Sequence, residues 1–185
     1  MGRDDEGGGA EGGWLPLRFR IVEGDLEAFI EFDREASWPF VSEEARKGMS
    51  YEEYGRRHRE LVERLCRLNL ENRFFLAVDE RGRTIGAAWV GIRIDTVDYV
   101  PVGYLYDIEV REEARGMGAG TALLRAVEEF CRSRGVKRLA LQTPVSNAQA
   151  IRWYLRNGFR VTRVYMEKQL GAASGEGRAR AAPPA

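Results

Sequence analysis

One stretch constrains this chain more than any other: Val110-Arg-Glu-Glu-Ala-Arg-Gly-Met-Gly-Ala-Gly120. Before it, residues 99–110 (YVPVGYLYDIEV) read as a strand. After it, Leu123, Leu124, Val127, Phe130 and Cys131 recur at helical spacing over residues 120–134. A strand that runs through a glycine-dense loop straight into a helix builds an anion site. Glycine lets a phosphate reach the backbone without a Cβ in the way. Successive amides point outward, and the helix N-terminus adds partial positive charge. Arg115, Gly118 and Gly120 form the pattern R-x-x-G-x-G. Two common phosphate loops are excluded. A Walker A loop ends in Gly-Lys-Ser/Thr, whereas Gly120 meets Thr121 with no lysine. A dinucleotide fingerprint needs a third glycine, but frames opened at Gly116 and Gly118 close on Thr121 and Leu123. The third candidate for this loop is the pyrophosphate of coenzyme A.

The rest of the chain supplies the elements around that loop. Residues 17–22 (LRFRIV) alternate as a strand, and Asp25 caps a short helix reaching Phe32. A loop runs to Ser42. Residues 43–70 are helical, with a break near Gly48–Ser50. Ser50 and Glu53 make a capping box there. Residues 73–79, 84–94 and 99–110 form an antiparallel meander whose first turn uses Gly82. The helix at 120–134 stops at Gly135. A strand over 136–143 and a helix over 147–156 follow, and residues 159–170 are extended as one bent strand or two short ones. The order is mixed α+β. Residues 1–13 and 171–185 are too poor in apolar side chains to offset the entropy of ordering. They are expected to be disordered tails around one domain spanning 14–170.

Composition narrows the partners. Lys plus Arg and Asp plus Glu both total 29, so the basic excess of a nucleic-acid binder is missing. No apolar run approaches the roughly 20 residues of a membrane span. The first residues lack the charged start and apolar run of a signal peptide, so a cytoplasmic protein is expected. Cys66 and Cys131 read as buried free thiols. The single histidine, His58, lies on an apolar helix face and reads as a packing residue. No metal site is expected.

From Tyr104 to Leu170 the chain resembles the GNAT superfamily of acyl-CoA-dependent N-acetyltransferases. The strand YLYDIEV, the loop RGMGAG and the segment N-x-x-A-x-x-x-Y-x-x-x-G-F (Asn147, Ala150, Tyr154, Gly158, Phe159) carry the resemblance. The third motif begins about 27 residues beyond Gly120, room for one helix and one strand. The resemblance implies a central, mostly antiparallel sheet of six to seven strands, flanked by about four helices and splayed at the cofactor cleft.

It also implies roles. Acetyl-CoA is the cosubstrate. The Ile108 and Val110 backbones hold pantetheine, with the Ile108 amide facing the thioester oxygen, where a fixed donor stabilises the tetrahedral oxyanion. The amides of Arg115, Gly116, Met117, Gly118, Ala119, Gly120 and Thr121 hold the pyrophosphate. Asn147 meets the pantetheine arm or supports the open sheet, and at a helix start it can cap that helix as well. Tyr154 occupies the place of the general acid for the departing thiolate, a task that suits a neutral phenol. The usual base positions carry Tyr104 and Tyr106 instead of a carboxylate. Asp107 and Glu109 fall on the opposite parity of the strand. A bulge would turn Glu109 into the cleft, making it the preferred base; otherwise a water chain ending on Tyr106, or Glu31, Asp33 or Glu35, must serve. Tyr104, Tyr106, Trp38 and Phe40 are the candidate acceptor wall. The acceptor is a small amine, an amino acid, or a peptide or protein amine, and the protein a monomer or homodimer. An acyl-CoA sensor with little catalysis is the alternative reading.

Overall fold

The computed structural model describes residues 18–168 and 170. They fall into two compact units, divided after Gln142. The expected tails, 1–13 and 171–185, lie outside the described residues.

The first unit is a five-stranded sheet in the order β1-β2-β3-β4-β5: β1 Phe19–Gly24, β2 Glu71–Asp79, β3 Thr84–Ile94, β4 Pro101–Val110 and β5 Leu139–Ala140. The first three pairings are antiparallel and the last is parallel. Between β1 and β2 run α1 (Leu26–Ser37), a 3-10 turn (Trp38–Phe40), α2 (Glu43–Lys47) and α3 (Tyr51–Leu68). After β4 come a second 3-10 turn (Glu112–Ala114) and α4 (Ala119–Ser133).

Alternation along the strands sorts the core into two layers. Phe74, Leu76, Ala87 and Trp89 face one way and pack with Phe29, Ile30 and Phe32 of α1 and Val62 of α3. Phe75 faces the other way, where its ring meets Phe130 of α4. Leu123, Leu124 and Val127 of α4 are fully buried. The helix starts are set by the side chains expected of them. Asp25 accepts from the Ala28 amide, and Ser50 from the Glu53 amide. The reciprocal half of the capping box is not made; the Glu53 carboxylate pairs with Arg57 one turn on.

Two expectations need correction. The segment after Phe32 is not a loop, because α1 continues to Ser37. Of its polar residues Glu35 is exposed while Asp33 is buried, and the Ser37 hydroxyl donates to Asp33 one turn back at 2.9 Å. The sheet has five strands among the described residues, where six to seven were expected, and five α-helices stand where about four were expected. The strand over 136–143 shrinks to Leu139–Ala140, which pairs only with Gly103 and Tyr104. Residues 159–168 form no ladder. Alternation in a sequence shows which faces a strand would have, but the backbone hydrogen bonds that define a strand need a partner.

In the second unit, α5 (Ala148–Arg156) begins where the Asn147 side chain accepts from the Ala150 amide at 3.1 Å. It ends at Gly158, whose φ is +85°.

Candidate active site

The site of the first unit is laid out along the second half of β4. Trp89 pairs with Asp107, but the next residue, Val90, pairs with Leu105. Tyr106 is therefore an extra residue on β4, a bulge. It reverses the parity read from the sequence. Gly91, Trp89 and Ala87 face α1, and their partners Tyr104, Asp107 and Glu109 face it too. The Tyr106 ring also lies on that side, stacked on Trp89 at 4.1 Å. Its hydroxyl donates to Asn69 at 2.9 Å. Asn69 donates in turn to Asn72, which also receives the Trp89 indole N–H. Gly91 makes the room: a Cβ there would stand 2.3 Å from the Asn69 amide nitrogen.

Glu109 thus joins a group of carboxylates. One oxygen each of Asp33, Asp107 and Glu109 lie within 4.8 Å of one another. Asp33 accepts from Ser37 through Oδ1, and its Oδ2 lies 2.7 Å from Nε2 of His58. Burial, then the Asp33 charge, push the Glu109 carboxyl above its ordinary range, against the pull of Arg115. Asp107 is raised well above the usual aspartate value, by burial first and then by Asp33 and Glu109. The Tyr54 phenol, on the α3 side, is pushed up to about 12, by burial first and then by Asp33. Glu35 is different. Its hydrogen bonds to Arg111, at 2.9 and 3.1 Å, hold it below the carboxylate range and make it a poor proton acceptor.

A cleft of about 330 Å³ opens beside Glu109. Glu35, Pro39 and Phe40 line one side of it, and Glu109, Val110 and Arg115 the other. Phe40, Glu109, Val110 and Arg115 are thereby brought together. Trp38 does not line this cleft and packs against Tyr51 and Tyr54. Tyr104 lies under the Arg93 guanidinium, 3.6 Å from its ring centre. The β4–β5 ladder ends at Tyr104, so the β4 edge from Leu105 to Val110, including Ile108, has no strand beside it on that side among the described residues.

The glycine loop follows directly. Gly116 and Gly118 have φ of +78° and +87°, and no atom lies within 4 Å of a Cβ built on either. Gly118 is the N-cap of α4 and supplies no side-chain hydrogen bond to the helix. The first-turn amides, Ala119 to Thr121, are the donors a helix leaves unpaired. Arg115 and Met117 are exposed beside them, and the Arg115 guanidinium reaches back to the Val110 carbonyl at 3.3 Å. In the second unit, the Tyr154 ring packs edge-on to Trp153 and Phe159.

The family model described as Acetyltransferase (GNAT) family matches residues 32–159. The chain belongs to the GNAT acetyltransferase family. A mycothiol acetyltransferase of Sanguibacter keddieii is 32% identical over 80% of this chain and 47% of its own length. An aminoglycoside N(6')-acetyltransferase type 1 of Stenotrophomonas maltophilia is 37% identical over 50% of this chain and 62% of its own. A solved structure from Pyrococcus furiosus, described as a putative acetyl transferase, is 42% identical. It covers 83% of this chain and 100% of its own, with a TM-score of 0.74. The chain spans about half or less of the length of the mycothiol acetyltransferases it matches.

Sequence reasoning set aside two residues of the site. Asp107 was placed on the wrong face because nothing in YLYDIEV marks Tyr106 as an extra residue. His58 sits at a core spacing on α3, and only the tertiary fold brings it to Asp33. Asp33 was one of three alternative carboxylates, and burial separates it from Glu31 and Glu35.

Proposed function

We propose that the protein moves an acetyl group from acetyl-CoA to a primary amine by direct attack within a ternary complex. The observation that carries this reading is the Tyr106 bulge, which points Glu109 to the α1 face at the mouth of the cleft, next to the glycine loop. The first-turn amides of α4 hold the pyrophosphate. The β4 backbone from Ile108 to Val110 holds pantetheine along its open edge, and the Ile108 amide faces the thioester oxygen. Glu109 takes the proton of the ammonium that the acceptor carries at neutral pH. A carboxyl raised by burial is a stronger base than an exposed one, which suits that task. The amine attacks the thioester carbon, the C–S bond breaks as Tyr154 gives its proton to the departing sulfur, and the second proton shed by the nitrogen as the amide forms goes to water, from which Tyr154 is reprotonated. Direct attack fits the two cysteines: burial pushes the Cys131 thiol up to about 11 and raises Cys66 as well, so neither is a ready nucleophile.

The acceptor is a small-molecule amine on this reading. The mycothiol and aminoglycoside acetyltransferases among the relatives support it, and so does a cleft of about 330 Å³ lined by Phe40, Glu35 and Glu109. The test is release of free CoA from acetyl-CoA across a panel of small amines, amino acids and peptides. Turnover above hydrolysis with a small amine supports the reading. CoA binding with no turnover on any acceptor overturns it in favour of a sensor.

A further inference from the structure

The buried His58 and Asp33 have no part in the chemistry above, yet they are built into its base. His58 is on α3, Asp33 on α1 and Glu109 on β4, so three separate elements converge. The His58 and Asp33 side chains are 10% and 8% exposed. Both oxygens of Asp33 are engaged, one by the Ser37 hydroxyl and one by His58 Nε2. His58 Nδ1 is buried and meets no acceptor. The arrangement that leaves no buried donor unpaired puts the imidazole proton on Nε2, donating to Asp33, with Nδ1 bare. Asp33 then receives two donors, the setting of a carboxylate anion.

We propose that Asp33, fixed by His58 and Ser37, is a positioning residue that sets the proton affinity of Glu109, with His58 acting through Asp33. The proposal deepens the proposed function and rests on Glu109 as the base. The charged and titratable groups around Glu109 are Asp33 from α1, Tyr54 and His58 from α3, Asp107 from its own strand and Arg115 from the loop, with Glu35 of α1 and Arg111, Glu112 and Glu113 further along the same cleft. Arg115 pulls the other way, while the Arg111 guanidinium is taken up by Glu35. Tyr54 stays a neutral phenol across the working range. Burial first, then Asp33 and Glu109, raise Asp107 itself, and the charges that move Glu109 are those of Asp33 and Arg115. Asp33 is left as the anion that makes Glu109 hold its proton more tightly. A base whose proton affinity lies nearer neutrality accepts the ammonium proton more readily than an ordinary exposed glutamate.

The test follows the side-chain carboxyl of Glu109 by NMR on protein carrying carbon-labelled glutamate, with Glu109→Gln used to assign its signal. The wild-type signal should titrate above the exposed glutamates in the same spectrum. In Asp33→Asn it should move to lower pH by roughly one unit, the effect of one charge removed from about 5 Å in a half-buried setting. His58→Phe, which removes the donor and keeps the ring, should shift it the same way by less. His58→Gln restores a donor to Asp33 and should return it towards wild type. Asp107→Asn should leave it in place. A Glu109 titration unmoved in Asp33→Asn, or identical in His58→Phe and His58→Gln, overturns the proposal. The titration needs no acceptor, so it stands apart from the reading on which it rests. That reading is lost instead if Glu109→Gln acetylates an amine at the wild-type rate.

Discussion

The Tyr106 ring lies flat on Trp89, 4.1 Å between centroids, where β4 carries one residue more than β3. That extra residue puts Glu109 and Asp107 on the same face as Tyr104. Without the bulge both carboxylates would point into the α4 layer, among buried Leu123, Leu124 and Val127. The packing of one ring thus goes with Glu109, the proposed base, facing the cleft.

Removing that base should be costly. Glu109→Gln keeps the size and loses the charge, so kcat/KM should fall by about 10²–10⁴-fold. In the wild type, activity should fall as pH drops through the raised Glu109 value, because protonated Glu109 cannot accept a proton. The acid limb should lie above the ordinary glutamate value and vanish from the residual rate of Glu109→Gln. A pH–rate profile of both proteins checks this, and an unchanged limb in the variant excludes Glu109 as its source.

The glycine loop offers a test by strain. Gly118 has φ +87°, a conformation that a β-branched residue does not adopt cheaply. Space is not the obstacle, since nothing lies near its would-be Cβ. Gly118→Val should re-aim the first-turn amides of α4 and lose at least tenfold in affinity for CoA and acetyl-CoA alike, with the fold kept by circular dichroism. Wild-type affinity in calorimetry would place the pyrophosphate elsewhere.

Asp107 should cost stability at neutral pH. Its carboxyl is raised well above the usual value in the folded chain. The unfolded chain therefore releases that proton first, and stability falls as pH rises from the unfolded value towards the folded one. Asp107→Asn removes this penalty and keeps an N–H donor for the side-chain hydrogen bond that Asp107 makes with Asp33. Its melting temperature should exceed the wild type's at pH 7 and converge with it in acid. A lower melting temperature at pH 7 would show that the carboxyl stabilises the fold.

Tyr154 separates mechanism from packing. Phe keeps the ring against Trp153 and Phe159 and removes only the hydroxyl. If the phenol protonates the leaving thiolate, Tyr154→Phe should lose about 10²–10⁴-fold in kcat with acetyl-CoA affinity nearly unchanged. Weaker binding with turnover preserved would assign the hydroxyl to structure.

What was legible in the sequence was whatever is written locally. The strand–glycine loop–helix around Val110–Gly120, the caps at Asp25, Ser50 and Asn147, and the turn at Gly82 each depend on residues a few positions apart. They appear where the pattern puts them. What was not legible depends on partners far along the chain. The Tyr106 bulge exists because Trp89 stacks on the ring and Asn69 takes its hydroxyl, contacts 17 and 37 positions away by the numbering. The Asp33–His58 contact joins residues 25 apart. The expected length of β5 failed for the same reason, since alternation over 136–143 says nothing of how far β4 accompanies it.

The central claim is that an acetyl group passes directly from CoA to an amine. A single-turnover experiment with acetyl-labelled acetyl-CoA, quenched over time and read by mass spectrometry of both amine and intact protein, tests it most directly. The account predicts that the label leaves CoA and appears on the amine at one rate, with the protein unlabelled throughout. Labelled protein that forms before the labelled amine, or label that stays on bound CoA in the presence of every amine tried, would contradict it.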